Sequence, residues 1–294
     1  MRDLNEIQCF VRAVELKSLT AAAKALGLPK SSVSRKIKGL EERLGLTLLM
    51  RTTRALNLTD AGRHFFEKSA LALREIETAE EALDGTRQVV EGTLRITGPV
   101  EFATGPFNQL VSSFLRDHPR VKIDLLLTER VVDLIGEGFD LALRVGELDD
   151  STLIAKKLRS LDAHIVASPA YLKDRGMPKS LADFEKHDCI GFTPGRDLMK
   201  WGLKGLTGKK EFTPKTRFSV NHLLSVKEAA VNGLGLALLP VYMTGEEIRE
   251  KALKLVWETP SSSGNSVHLV YPGQKFLSPR MRAFIDYANK HLSF

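Results

Sequence analysis

Leu4, Ile7, Phe10, Val11 and Val14 recur at spacings that place them on one side of an α-helix, so the chain opens with an amphipathic helix. Lys17-Ser18 interrupts this pattern, and Ser18 or Thr20 can cap a second helix over about Leu19–Leu26 by accepting from its free N–H groups. That segment contains AAAKAL, whose small side chains allow close helix–helix approach. Gly27 suits the left-handed conformation that ends a helix, and Pro29 suits the first turn of a third one. The third helix is predicted from about Pro29 to Leu44, with Val33, Ile37, Leu40 and Leu44 as its buried stripe. Its other face carries Lys30, Ser31, Ser32, Ser34, Arg35 and Lys38. After Gly45, two short apolar stretches flank Arg51-Thr52-Thr53-Arg54, which reads as a small β-wing with two arginines at its tip.

Further along, Thr59 can cap a long helix running to about Val89. Phe66, Leu73, Ile76 and Leu83 form an a/d-type seam on it, with Ala72 and Ala79 beside them and interruptions at Ser69 and Glu80. Such a seam fits a two-stranded coiled coil, or packing against the chain's own body. From Gly92 the texture changes. TLRIT, VKIDLLL, DLALRV, AHIVAS, LGLALL, LKLVW and SVHLVY are short apolar runs separated by helical segments at 107–116, 223–232 and 280–290. Strand–helix alternation predicts an α/β domain with largely parallel sheets. Its length of about 200 residues exceeds a typical compact α/β unit and fits two lobes with a cleft between them.

Composition narrows the function. The chain has 294 residues, 43% hydrophobic and 27% charged, as expected of two or three globular units. It contains no apolar run of about 18 residues, and its start, MRDLNEIQCF, lacks the order of a signal peptide. Two cysteines, Cys9 and Cys189, suit neither a metal site nor a disulfide framework. These features predict a cytoplasmic protein without a membrane partner. Net charge is +7, and seven Lys and Arg residues against two Glu crowd into positions 30–54. Clustered cations and short hydroxyls on one face of a third helix match a recognition helix in a DNA major groove. The hydroxyls and the helix start hold phosphates while long side chains reach base edges. A wing carrying Arg51 and Arg54 can reach backbone or minor groove. The alternative is a merely solvated basic face.

The residues Phe10, Ser18-Leu19-Thr20-Ala21-Ala22-Ala23, Leu26, Ser31-Ser32-Val33-Ser34, Ile37, Leu40-Glu41, Leu44-Gly45, Leu48-Leu49, Arg51, Leu58-Thr59 and Ala61-Gly62 closely resemble the LysR-type transcriptional regulators. The likeness extends through Phe114, His118-Pro119, Val121, Asp140–Gly146, Ala167–Leu172, Gly233–Leu236 and Leu239-Pro240. It implies an α/β protein with an N-terminal all-α winged helix-turn-helix (1–58) and a linker or dimerisation helix (59–91). A bilobal, periplasmic-binding-protein-like effector domain follows over 92–294, with lobe I at 92–161 and 267–294 and lobe II at 162–266. It implies a homodimer or homotetramer on a pseudo-palindromic double-stranded DNA site, with RNA polymerase a further candidate partner. This chain has Pro29-Lys30 where the family often has Ser-Gln, exchanging an adenine-reading amide for a cation.

Effectors of the resembled fold lie near the carboxyl ends of strands and the amino ends of helices. That places Pro99, Val100, Glu101 and Phe102 after the first strand, Thr128 after the second, and Phe192 and Asn221 on the far lobe as candidate effector contacts. Organic acids are among the effector candidates. Val100 stands where relatives often carry a hydroxyl, and Glu101 would repel an anion unless it points away or pairs with a cation. Arg144 reads as a lobe-building residue. Cys189 stands alone in this domain, which leaves no two-cysteine switch within one chain's sensing domain and a single-thiol sensor as the alternative to an inert residue.

No cofactor, metal site or catalytic constellation is expected. HExxH, CxxC and GxSxG are absent from the sequence. Gly205-Leu206-Thr207-Gly208-Lys209-Lys210 lacks the glycine required at Leu203 and the hydroxyl required at its end, and reads as a hairpin turn. Two other classes compete with a ligand-responsive regulator. A solute-binding protein shares the bilobal plan but not the first sixty residues. An architectural DNA binder would not need a sensing domain.

Overall fold

The structure, a computed structural model, describes residues 3–51, 56–83, 89–146, 148, 152–193, 198–205, 208–259, 266–273 and 277–293. The chain forms two compact units, Met1–Arg87 and Gln88–Phe294.

The first unit begins with α1 (Leu4–Glu15), α2 (Leu19–Leu26) and α3 (Lys30–Leu44). Asp3 caps α1, and the Ser18 hydroxyl caps α2 by accepting from Ala21 N–H at 3.2 Å. Gly27 at φ 64 and Gly45 at φ 66 end α2 and α3 in the left-handed region, where a Cβ would be strained. Pro29 is the cap residue of α3 and not part of its first turn, because its ψ of 142 is extended. Phe10, Val33, Ile37 and Leu40 are fully buried among the three helices. β1 (Leu49–Arg51) and β2 (Leu56–Leu58) pair antiparallel as the wing.

Thr59 starts α4 (Asp60–Leu83): its hydroxyl accepts from Gly62 N–H at 2.9 Å and donates to the Thr47 carbonyl at 2.7 Å. A Cβ at Gly62 would lie 2.0 Å from the Leu48 carbonyl oxygen, so only glycine lets α4 pass the base of the wing. The helical pattern extended to Val89 in the sequence, but Val89 itself is not helical, and 84–88 lie outside the described residues. Of the predicted seam, Phe66 and Leu73 are partly buried on this unit's own core. Ile76 is 40% exposed, and the Leu83 side chain lies outside the description.

The second unit contains β3 (Gly92–Gly98), α5 (Pro106–Asp117), β4 (Val121–Leu127), α6 (Leu134–Glu137), β5 (Leu141–Val145), β6 (Leu153–Ser160), β7 (Ala163–Ala167), α7 (Pro169–Arg175), β8 (Cys189–Phe192), β9 (Trp201–Gly205), β10 (Gly208–Phe212), β11 (Thr216–Val220), α8 (Leu223–Val231), β12 (Leu236–Pro240), α9 (Gly245–Arg249), β13 (Lys254–Thr259), β14 (Ser266–Pro272) and α10 (Pro279–His291). Two five-stranded sheets result, ordered β4-β3-β5-β14-β6 and β11-β8-β12-β7-β13, one to each lobe.

These sheets are mixed, which corrects the largely parallel expectation. Pairs separated by a crossover run parallel, such as β3 with β4 and β12 with β8. β14 instead runs antiparallel to β5 and β6, and β7 antiparallel to β12 and β13. The cause is chain path: the backbone leaves the first sheet along β6 into β7 and returns from β13 to β14, so outgoing and incoming strands oppose each other. β9 and β10 pair as the antiparallel hairpin read from the glycine-rich turn, with Gly205 opposite Gly208. The core of the first lobe is built from Phe107, Phe114 and Phe284, with the last two edge-to-face at 5.0 Å. Fully buried Trp201 and Phe184 anchor one face of the second sheet, and α8 covers the other with Val226 and Ala230.

Candidate nucleic-acid interface and effector cleft

The polar face of α3 is assembled by burial of the opposite edge. Lys30, Ser31, Arg35 and Lys38 are exposed, Ser32 and Ser34 half-buried. Several cations of this region already have partners. Lys36 reaches Asp3 at 3.2 Å, Arg43 reaches Glu6 at 3.0 Å, and Lys38 reaches the exposed Glu42 at 3.3 Å. Among the described residues, Lys30 and Arg35 form no ion pair. No side chain caps the start of α3, and its Ser32 N–H donates to the Pro29 carbonyl at 3.0 Å, which leaves the N–H groups of Lys30 and Ser31 as its uncapped donors. Arg51 is the last residue of β1, and Arg54 lies outside the described residues.

A residue missed in the sequence fixes the wing to this helix. The Glu41 carboxylate, on α3, accepts from Leu48 N–H at 2.8 Å and Leu49 N–H at 3.0 Å. Periodicity shows Glu41 only as a charge; its capping of backbone seven and eight residues away is tertiary.

In the second unit, the carboxyl ends of β3 and β4 lie together, with Thr128 N–H donating to the Gly98 carbonyl at 2.9 Å. Pro99, Val100 and Glu101 follow β3 half-buried, and the Val100 N–H donates to Glu129 Oε1 at 3.4 Å. Thr128 is half-buried, and its hydroxyl accepts from Arg130 N–H at 3.3 Å. Phe102 does not face a cleft: it is 2% exposed and packs on Phe107 at 5.6 Å, because the 3-10 turn over Val100–Ala103 points every third side chain into the lobe. On the other sheet, Phe192 ends β8 rather than following it, and Asn221 follows β11, exposed. Their strands end side by side, since Thr193 N–H donates to the Val220 carbonyl at 3.0 Å.

The two lobes meet at the loop after β3. A Cβ on Gly105, at φ 74, would come within 3.1 Å of the Tyr242 ring from the second lobe. Tyr242 packs against the cores of both lobes. Its phenol is pushed up to about 12 by burial and, secondarily, by the charge of Glu101. Burial also raises the Glu101 carboxyl above its ordinary value, with Glu129 adding repulsion; the N–H of Leu223 and the neighbouring His222 oppose the shift. His222 shares a hydrogen bond with Ser225 Oγ at 3.1 Å. Tyr242 and His222 were not singled out in the sequence, since an isolated aromatic or histidine carries no positional signal.

Residues 4–63 match the model for "Bacterial regulatory helix-turn-helix protein, lysR family", and residues 87–293 match "LysR substrate binding domain". The chain belongs to the LysR-type transcriptional regulators. An HTH-type transcriptional regulator of Xanthomonas campestris pv. campestris is 35% identical, with 99% of this chain and 86% of that protein covered. CrgA of Neisseria meningitidis is 32% identical, with 98% and 96% covered. Its solved structure covers all of both chains at 30% identity with a TM-score of 0.63. That of AphB, described as the Vibrio cholerae virulence activator, covers 99% of this chain and 100% of its own at 26% identity with a TM-score of 0.63.

As a LysR-type regulator, this chain is a DNA-binding transcription factor whose C-terminal domain serves a small-molecule effector. Regulators of this family bind DNA and effectors and form oligomers. Arg144 donates to the Val132 carbonyl at 3.4 Å within its lobe. Cys189 is buried, and desolvation pushes its thiol up to about 12, which keeps it protonated and unreactive. Among the described residues, no group of three or more His, Cys, Asp or Glu side chains could hold a metal ion. No described helix is long and apolar enough to cross a membrane.

Proposed function

We propose that α3 enters the major groove of the operator with Lys30, Ser31, Ser32, Ser34, Arg35 and Lys38 toward the duplex, while Arg51 and Arg54 of the wing reach the adjacent backbone or minor groove. The observation that carries this reading is the division of cations on α3. Lys36 and Arg43 are tied to acids of α1 and its cap, whereas Lys30 and Arg35 are exposed and, among the described residues, form no ion pair. The uncapped start of α3 adds N–H donors for a phosphate. Pairing of two chains, with Ile76 of α4 exposed for a partner, presents two such helices to a pseudo-palindromic site. The chain then works in the cytoplasm, where its DNA is.

The effector, in this reading, sits between the lobes against Pro99, Val100, Glu101, Thr128, Phe192 and Asn221. Supporting it are the paired strand ends of each sheet and the action of the α8 amino end, Leu223 and His222, on Glu101 of the other lobe. Effector binding shifts lobe closure and with it the spacing of paired DNA-binding units. DNase footprinting after selection from genomic fragments tests the reading. Two protected half-sites about one helical turn or a multiple apart are expected, lost in Arg35→Ala. A footprint without half-sites, or one indifferent to Arg35, would refute it.

A further inference from the structure

The cleft described above contains a carboxylate that belongs to the protein. Glu101 stands on the first lobe, yet two of the groups that act on it, after burial, its own N–H and Glu129, are the Leu223 N–H and His222 at the amino end of α8 on the second. That amino end is where an anionic effector would find its donors. Glu101 already supplies negative charge to it. Its other polar opportunity is unmet: Oε1 is fully buried and accepts no hydrogen bond among the described residues. A buried carboxylate oxygen without a donor is costly, and in native proteins such an atom marks a proton, an ion or a ligand that completes it.

Burial, which raises the Glu101 carboxyl, favours a proton there when no ligand is bound, and the surroundings decide which ligand can displace it. Glu129 lies on the same lobe, close enough to repel Glu101, and spends one oxygen on the Val100 N–H at 3.4 Å. Tyr242 feels the charge of Glu101 and packs against the cores of both lobes. His222 is held by Ser225 at 3.1 Å. None of the groups acting most strongly on Glu101 is a lysine or arginine. A carboxylate effector would bring a third negative charge beside Glu101 and Glu129, and would compete with Glu101 for the Leu223 N–H. A primary ammonium or amidinium would instead donate to Glu101 Oε1, sit between two carboxylates and lie near an aromatic ring.

We infer that the interlobe cleft of this regulator selects a small organic cation, with Glu101 as its direct charge partner and Glu129 as a second. This rests on the reading that the effector binds between the lobes, and goes beyond it by naming the effector's charge. Discrimination against acids is therefore built from the two carboxylates, Glu101 and Glu129.

Isothermal titration of the full-length chain with putrescine, agmatine, succinate and benzoate tests the inference. Saturable binding of putrescine or agmatine is expected, with neither acid binding. Glu101→Gln should weaken that amine about tenfold or more, as loss of a charged hydrogen-bond partner does, and Glu129→Gln should weaken it less. Glu101→Asp keeps the charge and should keep the preference for amines at reduced affinity, which separates a lost charge from a damaged fold. Binding of an acid and of no amine by the wild type, or of none of the four compounds, would overturn the cation assignment. So would equal amine affinity in wild type and Glu101→Gln. The cleft reading fails separately, if whichever compound binds keeps its affinity in Thr128→Val and in Asn221→Ala.

Discussion

Replacing Glu41 by alanine should loosen the wing more than any other single surface change in the DNA-binding unit. One oxygen of Glu41 accepts two backbone N–H groups, from Leu48 at 2.8 Å and Leu49 at 3.0 Å, and both leucines are almost wholly buried. Hydrogen bonds to a charged group contribute about 1.5–3 kcal/mol each, so two of them set an upper range of roughly 3–6 kcal/mol. Glu41 itself is only half-buried, and solvent screening reduces the expected loss to about 2–4 kcal/mol. For a unit of this size each kcal/mol lowers the melting temperature by about 4–8 °C, so a fall of roughly 8–32 °C is expected for its transition. Glu41→Gln retains a carbonyl oxygen able to accept both N–H groups and should cost about 1 kcal/mol. Calorimetry of the full chain gives the transition, and hydrogen exchange read on a peptide containing Leu48 and Leu49 assigns it to the wing. A shift under about 3 °C for Glu41→Ala would refute the reasoning, being below even 1 kcal/mol on the same scale. Equal damage by Glu41→Gln would show that packing, not hydrogen bonding to the oxygen, holds the wing.

Three further outcomes follow from individual residues. If Arg35 contacts a phosphate, Arg35→Ala lowers the slope of log affinity against log salt by about 0.9, narrowing the wild-type advantage about 3.5-fold between 50 and 200 mM salt. Lys36→Ala, whose ammonium is engaged by Asp3 at 3.2 Å, leaves that slope unchanged, and a matching drop would contradict the division of the α3 cations. Cys9 and Cys189 are each 1% exposed, with both thiols raised by burial. A thiol reagent at pH 8 should therefore label neither in the native chain and both after denaturation; prompt native labelling of Cys189 would reopen a redox role. The Glu101 carboxyl is raised in the folded state, so the native chain holds that proton more tightly than the unfolded chain. The stabilisation is present below the unfolded value and lost as pH rises through the folded one. The melting temperature of the wild type relative to Glu101→Gln should accordingly fall between about pH 4.3, the ordinary glutamate value, and neutrality. Parallel curves would exclude a raised value.

Local rules made much of the first unit legible. Ser18, Gly27 and Gly45 act on residues within one helical turn of themselves, and the stripe of Val33, Ile37 and Leu40 needs only a 3.6-residue period. The same rules located the apolar strands, because each is a short run with a buried face. They did not find β6, LIAKKLRS, whose polar side chains belong to an edge strand half open to solvent. Strand direction was misread because it depends on where the chain crosses between lobes, which no local pattern encodes. The place of Phe102 in the loop points it to the cleft, but a four-residue 3-10 turn carries it into the core. Phe66 and Leu73 look like a partner seam and are also used by the unit's own core, since a periodicity names a buried face without naming what buries it. Glu41, His222 and Tyr242 act on groups distant in sequence or across the cleft, and composition gives them no mark.

The reading of α3 as a groove-bound helix has one direct test. Cys9 and Cys189 are both buried, so a cysteine introduced at exposed Ser31 can be labelled selectively with an iron chelate that cleaves nearby DNA. In the bound complex, Ser31→Cys carrying the chelate is predicted to cut both strands within one major groove of each half-site. Binding without cutting, or cuts confined to DNA outside the half-sites, would place α3 elsewhere and contradict the account.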